Sequence, residues 1–128
     1  MGRIEVKRIA EPDEKRAFVD KGYADVFNFE DGTVGRAVFE PGWRWSEHVK
    51  PLAGTDSCQA AHACYVVAGR MHLVTDEGEE TDVGPGDLVF ISPGHDAWVL
   101  GDEPCVMLDF SGMGDYARRA ETVTQPSP

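Results

Sequence analysis

Four histidines and three cysteines carry most of the distinctive chemistry of this chain. His48 and His62 fall in one stretch, GWRWSEHVKPLAGTDSCQAAHACYVVAG, with Cys58 between them. His95 returns later, in PGDLVFISPGHDAW. Neutral imidazoles are good ligands for zinc, iron, copper or nickel. Three protein ligands leave positions open for water or substrate, which a catalytic metal needs and a structural one does not. His48, His62 and His95 are therefore candidate ligands for one divalent transition metal, with Cys58 a candidate fourth through its thiolate. The competing reading makes each histidine a hydrogen-bonded polar residue and Cys58 a small buried hydrophobe. His72 is expected on the strand face opposite His62, in a structural or surface role.

The elements that must position these side chains read as short strands and tight turns. Fourteen glycines and eight prolines suit frequent chain reversals. Alternation predicts an opening strand at residues 4–9. Pro12 suits a first helical turn, so residues 11–21 read as one or two turns of helix with Ala17 and Phe18 facing inward. Asp31-Gly32 is a hairpin signal between strands at 26–30 and 33–40. A strand at 43–48 would put Arg44, Ser46 and His48 on one side, with Trp43 and Trp45 on the other. Residues 51–59 read as a loop. The strand at 61–68 puts His62, Cys64 and Val66 on one face and Ala63, Tyr65 and Val67 on the other. Gly69-Arg70 then turns into its hairpin partner at 71–76. A short polar strand ends at Val83, and the acidic run 76–82 reads as a solvated edge. The apolar run 88–91 reads as a buried strand, followed by strands at 95–100 and 105–110. A short helix at 115–122 and a frayed tail at 125–128 close the chain. Roughly eight to ten short strands at such intervals predict an all-β sandwich or barrel.

The order of these motifs resembles the cupins, which are small double-stranded β-helix or jelly-roll barrels. Five residues separate Gly42 from His48, and six separate His62 from Gly69, as in the first cupin motif. His62 then stands in the place of that motif's Glu, and Lys50 in the place of its second His. Gly86-Asp87, the strand 88–91, the turn Ser92-Pro93-Gly94 and His95 resemble the second motif. The resemblance spans about residues 35–110. It implies one cupin barrel over 1–112 followed by a C-terminal tail at 113–128. It also implies a metal inside the barrel at His48, His62 and His95, and a small-molecule ligand or substrate. A homodimer is implied as well, with the strand 4–9 crossing to the partner sheet. Trp45, Cys64, Tyr65 and Trp98 are expected to wall the pocket, together with Trp43, unless these aromatics are simply core. The activity implied is that of a metal-dependent enzyme on a small organic molecule, of oxygenase, isomerase or lyase type. The alternative is a non-enzymatic cupin that binds or senses a small molecule. Losing the Glu removes a negative charge and favours softer metals. Glu47, Asp56 and Asp96 lie near the histidines as candidate proton-transfer groups, but each reads more simply as a turn or surface carboxylate.

Composition narrows the partners. A chain of 128 residues makes one domain with a real core and no need of disulfide staples. A net charge of −11 repels phosphate backbones and anionic membranes, which argues against nucleic acid and membrane partners. Three cysteines without a CxxC pair point to a reducing compartment. The charged N-terminus and the lack of a long apolar run make the cytoplasm the expected location. Phosphate loops, nucleophile elbows and zincin helices are not found.

Overall fold

The computed structural model describes residues 2–111. The helix expected at 115–122 and the expected tail lie outside the described residues. The elements run β1 (Glu14–Ala17), β2 (Gly22–Phe29), β3 (Gly32–Phe39), α1 (Trp45–His48), α2 (Lys50–Ala53), β4 (His62–Ala68), β5 (Arg70–Thr75), β6 (Glu80–Val83), β7 (Leu88–Ile91), β8 (His95–Leu100) and β9 (Cys105–Asp109). They form a six-stranded sheet, β1-β2-β3-β9-β4-β7, and a three-stranded sheet, β6-β5-β8. Every pairing is antiparallel. This is an all-β jelly-roll.

Strand alternation decides what enters the space between the sheets. β4 turns His62, Cys64 and Val66 inward, β8 turns His95, Ala97 and Val99, and β9 turns Cys105, Met107 and Asp109. Met71 and Leu73 are buried on β5. Trp43 closes one part of the core, with its ring 4.4 Å from Phe39 and 5.8 Å from Phe18. Burying a large apolar side chain of this kind contributes about 1.5–3 kcal/mol.

Several local expectations are corrected. Residues 11–21 are not helical: Glu14–Ala17 pairs with β2, Arg16 and Phe18 turn inward, and Ala17 is exposed. Pairing with a long neighbouring strand outweighs the weak helical signal. Residues 4–9 form no strand. They are tethered by Arg3 to Glu30, by the Glu5 carboxylate accepting from the Glu30 N–H at 3.3 Å, and by Lys7 to Asp13 at 3.0 Å. Residues 43–48 are not a strand either. Arg44 makes one bridge to Trp98, and the chain then winds into α1 and α2. The Asp96 carboxylate accepts from the Ser46 N–H at 3.2 Å, meeting an N-terminal donor that a helix leaves open. Pro51 sits in the first turn of α2, where its missing N–H costs nothing. The run 88–91 is an edge strand rather than a buried one, with Leu88 81% and Phe90 73% exposed.

The expected hairpin between 61–68 and 71–76 does not form. β4 and β5 belong to different sheets, and Gly69 is the corner between them. Its φ is 76°, and a Cβ there would lie 2.2 Å from the Pro104 carbonyl oxygen and 2.6 Å from the Cys105 Cα. Only glycine fits both the left-handed backbone and the close approach. Gly69→Ala should therefore destabilise the domain by about 3 kcal/mol or more, from strain plus a backbone clash. Gly78→Ala has a φ of 96° but open space around the new methyl group, and should cost only about 1–2 kcal/mol. Urea unfolding midpoints compare the two; equal shifts would show that the corner yields without penalty.

Candidate metal centre

The site is built outward from strand register. Cys64 on β4 stands directly opposite Asp109 on β9. Paired residues share a face, and so do positions two apart on one strand, so His62 joins Cys64 and Asp109 on the inner face. The His62 ring donates from Nδ1 to the Asp109 carboxylate. Asp109 also accepts from the Ser111 N–H at 2.9 Å and lies 3.7 Å from the Cys64 thiol. It is 2% exposed and His62 is 7% exposed.

β8 supplies the second histidine. His95 donates from Nδ1 to the Ser92 carbonyl at 2.8 Å. Its backbone bridges Cys58, with the Cys58 N–H donating to the His95 carbonyl at 2.7 Å and the Gly94 N–H to the Cys58 carbonyl at 2.6 Å. This bridge carries Cys58 into the barrel. Ser57 anchors the same loop by donating to Asp76 at 2.9 Å. The Cys58 sulfur lies 3.7 Å from His62 Nε2, and the His62 and His95 ring centroids are 5.5 Å apart. One ligand atom from each of Cys58, His62 and His95 lies within 4.8 Å of the others, and all three residues are buried. A carbonyl and a carboxylate can only accept, so both rings carry a proton on Nδ1, and His62 turns its Nε2 toward Cys58.

Electrostatics follows from this geometry. Burial alone would push the Cys58 thiol up, but hydrogen bonds from His62 and His95 outweigh it and bring the thiol down to about 6. Burial disfavours charge on His62 too. The Asp109 hydrogen bond, then that of Cys58, overcome this and raise the imidazole to about 9. Burial is also the main cause that raises Cys64, where the Asp109 charge adds to it, and it pushes Cys105 up to about 12. Cys58 thus stands apart from the other two cysteines as the ready thiolate.

A cavity of about 50 Å³ adjoins these groups, enough for a few water-sized molecules. His62, His95, Asp109 and Cys64 line it, with Trp43 and Trp45. Two expected wall residues are elsewhere. Tyr65 is on the outer face of β4 and 38% exposed. Trp98 lies on the outer face of β8, between the Arg44 guanidinium at 4.0 Å and the His72 ring at 4.6 Å. Alternation along β4 and β8 excludes both from the cavity.

His48 is not brought to the cluster. It ends α1, where its Nδ1 accepts from the Arg44 N–H at 3.0 Å. The helical turn replaces the expected strand, and this hydrogen bond occupies the ring's lone pair. His72 faces outward, 2.5 Å from Asp82 and 2.7 Å from Glu80. Glu47 and Asp56 are exposed, and Asp96 caps α1. Asp109 was missed from sequence. Its signal was a carboxylate in the inward phase of the alternating strand 105–110.

A barrel of two antiparallel sheets around a buried cysteine–histidine cluster defines the class. Residues 55–111 match the family model of the cupin domain, a span that contains Cys58, His62, His95 and Asp109. Solved structures agree in fold. A protein of unknown function from Rhizobium leguminosarum bv. viciae is 18% identical with a TM-score of 0.63, covering 86% of this chain and 97% of its own. An RmlC-like cupin from Shewanella frigidimarina is 16% identical with a TM-score of 0.60, covering 88% and 96%. An oxalate decarboxylase from Lactobacillus farciminis, solved as a formate complex, is 18% identical with a TM-score of 0.60; the likeness covers 89% of this chain and 35% of that enzyme. No curated protein matches the chain. The match over residues 55–111 supports membership of the cupin superfamily, and the solved structures share its fold.

The His62–Asp109 contact sets a pH dependence. In metal-free protein the His62 ring should titrate near pH 9. Asp109→Asn should bring that midpoint down by roughly 1–3 units, read by NMR of the imidazole. The stability associated with the raised value is full below the ordinary histidine value of about 6.5 and is lost as pH rises through about 9. The stability penalty of Asp109→Asn should therefore shrink across that window. An unchanged His62 midpoint in the variant would refute this account.

Proposed function

We propose that this cupin binds one divalent transition metal through Cys58, His62 and His95 and acts as a metal-dependent enzyme on a small organic molecule. The supporting observation is the convergence of three ligand atoms within 4.8 Å, with both imidazoles oriented from behind. Carboxylate–histidine–metal arrangements fix ring orientation and raise ligand basicity. One thiolate and two imidazoles suit zinc, copper, iron or nickel better than a hard cation. A bound ion supplies Lewis-acid or oxygen-activating chemistry. The chain's own residues hold its ligands in place: Asp109 orients His62, the Ser92 carbonyl orients His95, and the β8 bridge positions Cys58. Three protein ligands leave room for a substrate atom from the adjoining cavity.

Elemental analysis of protein purified without a histidine tag tests this. About one metal per chain is expected, lost in Cys58→Ser, His62→Ala and His95→Ala and retained in His48→Ala. Asp109→Asn should weaken affinity about 10–100-fold. A wild-type chain that takes up none of zinc, iron, copper, nickel or manganese would end the metal reading.

We also propose that the protein is a homodimer. Leu88 stands opposite Tyr65, and Phe90 opposite Ala63, so these side chains share the outer face of the large sheet at its β7 edge. Leu88, Phe90 and Val67 are 81%, 73% and 47% exposed. Apolar surface of this kind beside an open strand edge suits burial against a second copy. Sedimentation should give twice the chain mass of 14.0 kDa, and Phe90→Glu should shift the protein to monomer; a wild-type monomer at micromolar concentration would refute it.

A further inference from the structure

Trp43 and Trp45 are each 2% exposed, both line the cavity, and neither indole Nε1–H has a hydrogen-bond partner among the described residues. Buried donors are rarely left unpaired in native proteins. Two of them around one cavity, beside the cysteine–histidine cluster, are donors in search of an acceptor. The rest of the lining is largely apolar, with Phe39, Met71, Leu73 and Met107 prominent. Lysine and arginine are absent from it and the His62 ring is already paired with Asp109, so a polyanion would find no unpaired countercharge. The lining carboxylate, Asp109, is already engaged by His62, Cys64 and Ser111, which leaves an ammonium group without a good acceptor.

We propose that the Trp43 and Trp45 indole N–H groups are the recognition donors of the cavity. Its ligand is a small, mainly apolar molecule carrying a carbonyl or carboxylate oxygen. That oxygen accepts from an indole while the hydrocarbon body lies against Phe39, Met71, Leu73 and Met107. The cavity of about 50 Å³ limits the ligand to a short chain of a few heavy atoms. This deepens the proposed function by naming a substrate class, and it rests on that reading only in placing the ligand beside the same cluster.

The test uses isobutyramide and isobutyrate as acceptor-bearing probes, with isobutylamine and inorganic phosphate as contrasts. The readout is the indole N–H resonances of the three tryptophans, followed in chelator-treated protein. Intrinsic fluorescence of the protein as purified runs in parallel. The amide or the carboxylate is expected to shift the Trp43 or Trp45 resonance saturably and leave Trp98 still, while the amine and phosphate shift none. Trp43→Phe or Trp45→Phe should weaken probe binding about tenfold, whereas Trp98→Phe should not. The wild-type resonances decide the matter even where a variant folds poorly. Failure of both acceptor probes to move either indole, or equal binding by the amine, overturns the proposal. Metal uptake without probe binding would overturn this inference alone, and probe binding without metal uptake would overturn the metal reading alone.

Discussion

A carboxylate sealed inside a barrel must be met by a donor, and much of this site follows from that constraint on Asp109. Unpaired, it would take up a proton rather than stay charged in the interior. Here the His62 ring, the Ser111 N–H and the Cys64 thiol surround it. The same hydrogen bond fixes the His62 tautomer and aims its other nitrogen at Cys58. One electrostatic requirement thus sets the direction of a ring that belongs to a strand 47 residues away in sequence.

Two features of the barrel let that requirement act. The first is the corner at Gly69, which sends β4 and β5 into different sheets and makes room for a cavity between them. The second is the bridge between Cys58 and His95, a backbone pairing that carries a loop cysteine to the same point. The two histidines come from opposite sheets and the thiol from a loop. No single element contains the cluster, so its geometry depends on the whole barrel being closed.

The chemical character of the site is unusually asymmetric. Its donor atoms are a thiol paired with imidazoles, while most of its lining is hydrocarbon. Such an environment strengthens every polar interaction inside it, because little solvent competes. The three cysteines illustrate the effect of placement. Cys64 and Cys105 are pushed up by burial, while Cys58 is brought down by the two histidines it faces. Relatives known from structure share the fold at 16–18% identity, a level at which the barrel is common and the chemistry is not transferred.

Turn residues and strand alternation, legible in the sequence by itself, determined the all-β barrel, the inward facing of His62 and Cys64, and the strand pair on either side of the hairpin near Asp31. These are local properties: a glycine, a proline or a period of two acts within a few residues. The tertiary structure alone decided which strands pair. It made a corner of Gly69 where a hairpin was expected, wound the end of the expected strand at 43–48 into the short helix α1, and drew residues 14–17 into the sheet. With those choices His48 left the cluster, Tyr65 and Trp98 fell on outer faces, and Asp109 entered the site. The physical reason is that a side chain's face depends on its own strand, while its neighbours depend on register and sheet order. Both of the latter are fixed by contacts between residues far apart in the chain.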